Sequence, residues 1–322
     1  MKIVILDGFT LNPGDLSWDG FKEMGEVTYY DRTPGDQEEI IKRAKGHDVL
    51  ITNKTPLRAG TLAQLPDCKY IGVLATGYDV VDYDYARQHG IPVTNTPSYG
   101  TTAVSQMVFA LLLEMTNHVQ HHADTVKEGR WAGQSDFCYW DYPMVELYGK
   151  TLGLIGFGRI GRATAKIGEA MGMKIIAYDK IKSDVSEFKD FKWEDEAETV
   201  FEAADVISLH CPLFPETKGI VNKDTLSRMK KTAFLVNTSR GPLVVEQDLA
   251  DALNNGKIAG AAVDVVCKEP PSMDNPLFTA RNCIVTPHIS WATREARFRL
   301  MQIAVDNLKA YVDGKPVNVV NK

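Results

Sequence analysis

The chain has 322 residues, 44% of them hydrophobic and 24% charged, with a formal net charge of −6. This is the profile of an ordinary globular protein, long enough for about two domains at roughly 150 residues each. No block of Lys and Arg stands out, which argues against nucleic acid as a partner. The longest apolar run, "VFALLLEM" from Val108, is broken by Glu114, and a membrane span needs about 20 apolar residues.

The opening, "MKIVILDGFT", has a single Lys and a short apolar run before Asp7, too short for a signal-peptide core and suited to a first buried strand. Beyond it, "DVLIT" (48–52), "YIGVLA" (70–75) and "IPVTNT" (91–96) read as further buried strands. Between them "QEEIIKRA" and "VDYDYARQHG" read as helices, the second closing on Gly90. Strands alternating with helices imply a parallel sheet covered on both faces.

Next comes an apolar pattern at 104, 107, 108, 111, 112 and 115, which predicts one long helix linking two domains, with Ser98 or Thr101 able to cap it. The aromatic-rich stretch "WAGQSDFCYWDYPMVELYGK" fits no regular period. It reads either as a loop packed on its own protein or as an arm that packs on a second subunit. From 151 onward, "TLGLIG", "KIIAYD", "DVISLH", "AFLVNT", "GAAVDV" and "CIVTP" read as strands separated by helices, and an amphipathic helix with a short extended end closes the chain. The whole is α/β, with two doubly wound parallel-sheet layers. The five cysteines, Cys68, Cys138, Cys211, Cys267 and Cys283, show no metal-like spacing and read as reduced thiols of a cytoplasmic protein.

"GFGRIG" follows a strand and opens a helix, with glycines at 156, 158 and 161. In such a turn the first glycine permits the bend and the second lets backbone approach a pyrophosphate. The third lets helix and strand pack closely, and the helix start faces the phosphates. Asp179 ends the next strand, about 20 residues on, where an acid can bond both ribose hydroxyls. Such an acid repels a 2′-phosphate, so NAD(H) is expected over NADP, although Lys180 and Lys182 follow closely.

In an open parallel sheet, ligands bind beyond the carboxyl ends of the strands. Arg240, Glu269 and His288 all follow such strands. Singly, each has a plain structural reading: a surface ion pair, an exposed loop acid, a helix cap. Together, on a sheet that also carries a nucleotide turn, they form the set a keto acid needs. Arginine holds the carboxylate, histidine donates a proton to the carbonyl oxygen, and a carboxylate orients the imidazole. His210 also ends a strand, with no acid evidently placed to serve it, and is expected to line the cofactor pocket. His121 and His122 read as a solvated face rather than a metal site, and no other metal-ligand spacing is visible.

The stretches "LATGYDVVD", "GKTLGLIGFGRIG", "HCPLFPETKGIVN", "NTSRGPLVVEQDLADAL", "GAAVDVVCKEPP" and "VTPHISWAT" make the chain resemble the D-isomer-specific 2-hydroxyacid dehydrogenases along essentially its whole length. Within that family, "FCYWDYPMVELYGKTLG" and "TPHISWATREAR" look most like bacterial glycerate dehydrogenases, also called hydroxypyruvate reductases. The resemblance implies a discontinuous, flavodoxin-like substrate domain, residues 1–99 and 290–322, with a Rossmann NAD domain, 100–289, inserted into it. It implies an active site in a cleft between them, and a homodimer made through a linker and arm, about 100–148.

The resemblance makes Arg240, Glu269 and His288 the catalytic trio. It makes Thr102, Gly156, Gly158, Arg159, Ile160, Gly161, Asp179, His210, Cys211, Pro212, Thr217, Thr238 and Asp264 the cofactor contacts, with Asp264 on the nicotinamide carboxamide. Asn53, Lys54, Ala75, Thr76 and Gly77, with Arg240 and His288, would take the substrate. Gln106 and Val266 depart from the residues common in relatives, and neither touches the trio. The reaction implied is reversible reduction of a small 2-keto acid by NADH, foremost hydroxypyruvate to D-glycerate. Glyoxylate, pyruvate or an aromatic keto acid are alternatives, depending on how Trp291, or Trp140 of a partner subunit, shapes the pocket. An NAD-sensing binding protein, like a corepressor of related fold, is an alternative of another class.

Overall fold

The computed structural model describes residues 1–322, which divide into two compact units. Met1–Gly100 and Trp291–Lys322 make the first, Thr101–Ser290 the second. The first unit holds strands β1 (Lys2–Ile5), β2 (Glu26–Tyr29), β3 (Val49–Thr52), β4 (Tyr70–Val73) and β5 (Val93–Thr94). They form one parallel sheet in the order β2-β1-β3-β4-β5, the flavodoxin-like doubly wound arrangement. The helices are α1 (Asp19–Lys22), α2 (Gln37–Ala44), α3 (Ala59–Leu62), α4 (Tyr83–Gln88) and the C-terminal helix Arg294–Val312.

Side chains alternate across a strand, so a strand covered on both faces is apolar throughout. Ile3 and Ile5 point to one face, where Phe21, Tyr70, Leu300, Ala304 and Leu308 pack. Val4 and Leu6 point to the other, against Ile40, Leu50, Leu62 and Ala86. The chain end is tied to the edge strand: the Asn321 amide donates to the Ile91 carbonyl and accepts from Val93 N–H, each at 2.8 Å.

The second unit begins with α5 (Thr101–Asn117) and α6 (Val119–Lys127). Its strands are β6 (Thr151–Ile155), β7 (Lys174–Tyr178), β8 (Phe191–Trp193), β9 (Val206–Leu209), β10 (Phe234–Asn237), β11 (Gly260–Val263) and β12 (Cys283–Val285). Helices α7 (Arg159–Ala170), α8 (Ala197–Ala203), α9 (Lys223–Arg228) and α10 (Glu246–Asn254) lie between them, which makes the C-terminal helix of the first unit α11. The strand order β12-β11-β10-β9-β6-β7-β8 is all parallel and reverses direction between β6 and β9. This is a Rossmann sheet with one further strand, and the reversal marks its ligand crevice.

The single long helix expected after residue 100 is two helices. His118 adopts the left-handed conformation, φ 50°, and breaks it. Before the break, Val108, Phe109 and Leu112 pack on Leu152, Leu154 and Ile175. After it, α6 has no buried residue. The apolar stripe ends at the break, and with it the packing that would hold a continuous helix in place. His121 and His122 are more than a solvated face. Asp141 of the arm sits 2.6 Å from His121 Nε2, accepts both terminal guanidinium nitrogens of Arg130, and donates its N–H to His122 Nε2. Two strands, β2 and β8, lie at sheet edges and carry no strand signal in their sequence, because their side chains are half exposed and partly polar.

Candidate active site

The glycine turn joins β6 to α7. Gly156 has φ +93°, and a Cβ there would lie 2.5 Å from the Cys211 backbone nitrogen. A Cβ on Gly161 would lie 2.5 Å from the Gly156 carbonyl oxygen, so only glycine lets α7 start this close to the strand. Gly158 has nothing within 4 Å of its Cβ position, which leaves the approach to the backbone open. Arg159 and Ile160 open α7 directly after it. Asp179 sits at the end of β7, with Oδ2 accepting Phe157 N–H at 2.7 Å and Oδ1 accepting Ile181 N–H at 3.2 Å. The acid is thereby bonded to the turn itself.

Beyond β9, His210 Nε2 lies 2.9 Å from Ser208 Oγ, while Nδ1 is buried without a partner. Burial pushes the imidazole down to about 3, so the ring is neutral at physiological pH. Burial also pushes the neighbouring Cys211 thiol up to about 11. Pro212 and Thr217 close the next turn: Thr217 Oγ1 donates to the Pro212 carbonyl at 2.7 Å and accepts Phe214 N–H at 2.8 Å. Beyond β10, the Thr238 hydroxyl is another buried polar atom without a partner. Thr102 lies in the first turn of α5. Buried polar groups are normally paired, so the orphaned His210 and Thr238 atoms require a ligand or water. With the open Gly158 and the exposed start of α7, they fit a nicotinamide dinucleotide.

The trio comes from three adjacent strand ends. Arg240 follows β10 on a turn held by Asn237, whose side chain donates to the Arg240 carbonyl and accepts Ser239 N–H. Its own Nη1 donates to the Ser239 carbonyl at 2.7 Å. Glu269 follows β11. Its Oε1 accepts Val266 N–H at 3.1 Å, so Val266, expected to stand clear of the trio, touches it through its backbone; its Oε2 lies 2.7 Å from His288 Nδ1. A carboxylate only accepts, so Nδ1 carries a proton and the imidazole presents Nε2 for proton exchange. His288 has φ 56°, a left-handed backbone that a non-glycine residue holds only when its surroundings impose it.

Asp264 is the main part of those surroundings. It is 1% exposed, and its carboxylate accepts Thr286 Oγ1 at 2.6 Å, Ile289 N–H at 2.9 Å and Ser290 N–H at 2.8 Å. Its carbonyl accepts His288 N–H at 2.8 Å. The resemblance implies a cofactor role for Asp264; this scaffold has no signal in the sequence, because nothing in the spacing ties an acid to N–H groups some 25 residues on. The same holds for Asp7 in the first unit. Its carboxylate accepts the consecutive N–H groups of Asn53, Lys54 and Thr55, and burial raises it above the ordinary carboxylate value.

In that unit Asn53 is buried, and its amide donates to Thr10 Oγ1 at 2.7 Å. Lys54 is exposed. Ala75, Thr76 and Gly77 follow β4, and Thr76 Oγ1 donates to the Thr96 carbonyl at 3.1 Å. Trp291 stacks edge-on against Tyr99, their ring centroids 6.3 Å apart.

The unit that carries this sheet and glycine turn matches a known family. The model of the D-isomer specific 2-hydroxyacid dehydrogenase NAD binding domain matches residues 109–290. The chain belongs to this family of oxidoreductases, which act on the CH–OH group of 2-hydroxy acids. It is 54% identical over 323 residues to a hydroxypyruvate reductase of Blautia hydrogenotrophica, covering 100% of both chains. It is 42% identical over 321 residues to a glycerate dehydrogenase of Methylorubrum extorquens, covering 99% of this chain and 98% of the relative. Among solved structures, the acyclic imino acid reductase Bsp5, in complex with NADPH and D-Arg, superposes with a TM-score of 0.85 at 32% identity, over 99% of this chain and 100% of that one.

Proposed function

We propose that this enzyme catalyses the reversible NADH-dependent reduction of hydroxypyruvate to D-glycerate. The observation that carries the chemistry is the 2.7 Å contact between His288 Nδ1 and Glu269 Oε2, in a chain 54% identical to a hydroxypyruvate reductase. A bound NADH supplies hydride to the keto carbon. His288 donates the proton on Nε2 to the carbonyl oxygen, and in the reverse direction neutral His288 takes it back. Glu269 keeps the ring in the required tautomer and stabilises its charged form. Arg240 binds the substrate carboxylate and polarises the carbonyl.

Asp179 favours NADH over NADPH, because its carboxylate repels a 2′-phosphate. Arg159 and the N–H groups at the start of α7 receive the pyrophosphate. The carboxamide contact falls to Asp264. The arm exposes Phe137, Trp140, Met144 and Tyr148, the first of them 89% exposed, and this supports a homodimer built on that surface. All five cysteines are free, in keeping with a reducing cytoplasm.

The test is steady-state NADH oxidation by His288→Asn and Glu269→Gln beside the parent enzyme. The Asn variant is expected to lose turnover by at least about 100-fold with little change in KM. Retention of parental turnover by His288→Asn would remove the assignment.

A further inference from the structure

Glu246 has no role in the reading above, yet it is bonded to the loop that carries Glu269. It is the first residue of α10, and its Oε1 accepts Cys267 N–H at 2.7 Å. Two other contacts clip the same two segments together. Cys267 Sγ lies 3.6 Å from the Val244 carbonyl. Gly241 lies so close to the backbone of Val266 and Cys267 that a Cβ would clash with it. One segment, 240–246, begins with Arg240; the other, 266–269, ends with Glu269. Of the three clips, only the Glu246 bond is made by a charged side chain to a backbone donor, the stronger kind of hydrogen bond.

We infer that Glu246 is a positioning residue: it fixes the Glu269 loop against the Arg240 turn and so holds the Glu269–His288 pair in register with the substrate-binding arginine. The inference rests on the proposed roles of those three residues. Without Glu246, the loop would keep its thiol contact and its glycine packing and would lose the bond nearest Glu269. Val266 N–H, the donor to Glu269 Oε1, is one residue from the Glu246 bond, so loosening of Cys267 passes directly to the catalytic carboxylate. The charged and titratable groups around this junction include Arg240, Glu246, Asp264, Cys267, Lys268, Glu269, His288 and Lys218. The Cys267 thiol is pushed up to about 11, first by burial and then by the Glu246 carboxylate, so it reports on Glu246 independently of turnover.

The experiment compares Glu246→Asp, Glu246→Gln and Glu246→Ala in the full chain, with His288→Asn as control. Aspartate keeps the negative charge at the start of α10 but is one methylene too short to reach Cys267 N–H. Glutamine keeps the reach and an acceptor oxygen. Three quantities are read: kcat and KM for hydroxypyruvate with NADH, the pH profile of kcat, and the rate of Cys267 alkylation by iodoacetamide, followed by peptide mass spectrometry. Glutamine is expected to retain most of the turnover. Aspartate and alanine are expected to lower kcat by at least about 10-fold, the worth of one charge-assisted hydrogen bond, and to change the pH profile of kcat. Cys267 alkylation is expected to rise severalfold in the alanine and glutamine variants, which lack the carboxylate.

Superimposable kcat values and pH profiles for aspartate and parent, with His288→Asn inactive, would overturn the inference and leave the catalytic reading standing. A fully active His288→Asn would overturn both. If alanine fails to fold, the aspartate–glutamine contrast decides alone.

Discussion

Replacing Asp264 should reveal how much of the His288 turn depends on one buried carboxylate. In the native chain that group accepts three hydrogen bonds, from Thr286 Oγ1, Ile289 N–H and Ser290 N–H, and is 1% exposed. Alanine removes both acceptor oxygens and leaves two backbone donors and a hydroxyl buried. Each unsatisfied group costs about 1–3 kcal/mol. The desolvation cost of the native carboxylate is relieved at the same time, which brings the net loss to about 3–5 kcal/mol. For a unit of this size, each kcal/mol lowers the melting temperature by about 2–4 °C, so a fall of roughly 6–20 °C is expected by scanning calorimetry.

Asparagine should fall by about half as much. Its carbonyl oxygen can replace Oδ1, but its NH2 would face the Ser290 N–H donor. Because His288 sits in this turn at φ 56°, turnover should fall further than stability implies, measured on folded protein well below the transition. An alanine variant that melts within about 1 °C of the parent and keeps its turnover would refute the scaffold role of Asp264.

Three further outcomes follow from the site. Gly161→Ala places a Cβ 2.5 Å from the Gly156 carbonyl, so α7 must move off the strand; NADH affinity by titration calorimetry should drop at least about 10-fold. Asp179→Ala should raise kcat/KM with NADPH relative to NADH, by at least about 10-fold in the ratio, and an unchanged ratio would show that the acid does not select the cofactor. His210 should make the protein acid-sensitive. Its folded value, about 3, lies below the ordinary 6.5, so stability is complete above pH 6.5 and declines as the pH falls from there toward 3, by up to about 5 kcal/mol. A His210→Gln variant should show a shallower acid limb in urea unfolding between pH 6 and 4, and an identical limb would exclude this histidine as the cause.

The central strands were legible because burial on both faces makes them continuous apolar runs, as in "KIVIL" and "TLGLIG". The runs outlast the strands. "YIGVLA" is strand only through Val73, and its last residues lie in the loop that follows, since apolarity marks burial rather than ladder pairing. Edge strands β2 and β8 escaped for the opposite reason: Glu26, Tyr29 and Lys192 face solvent. The break at His118 was invisible because helix breaking there comes from the loss of packing beyond Thr116, not from a proline or glycine. In the site, Arg240, Glu269 and His288 could be read because each follows an apolar strand. The 2.7 Å pairing of Glu269 with His288 is a fact of folding. Asp7, Asp264 and Glu246 could not be read at all, since each acts by accepting backbone N–H groups, and every residue type but proline can supply those.

The most direct measurement is NADH oxidation by the purified enzyme against hydroxypyruvate, glyoxylate, pyruvate, phenylpyruvate and oxaloacetate, repeated with NADPH. Hydroxypyruvate with NADH is expected to give the highest kcat/KM. Preference for another keto acid would replace the substrate and leave the chemistry of the Arg240–Glu269–His288 site in place. Tight NADH binding with no turnover of any keto acid would contradict the assignment of this protein as a reductase.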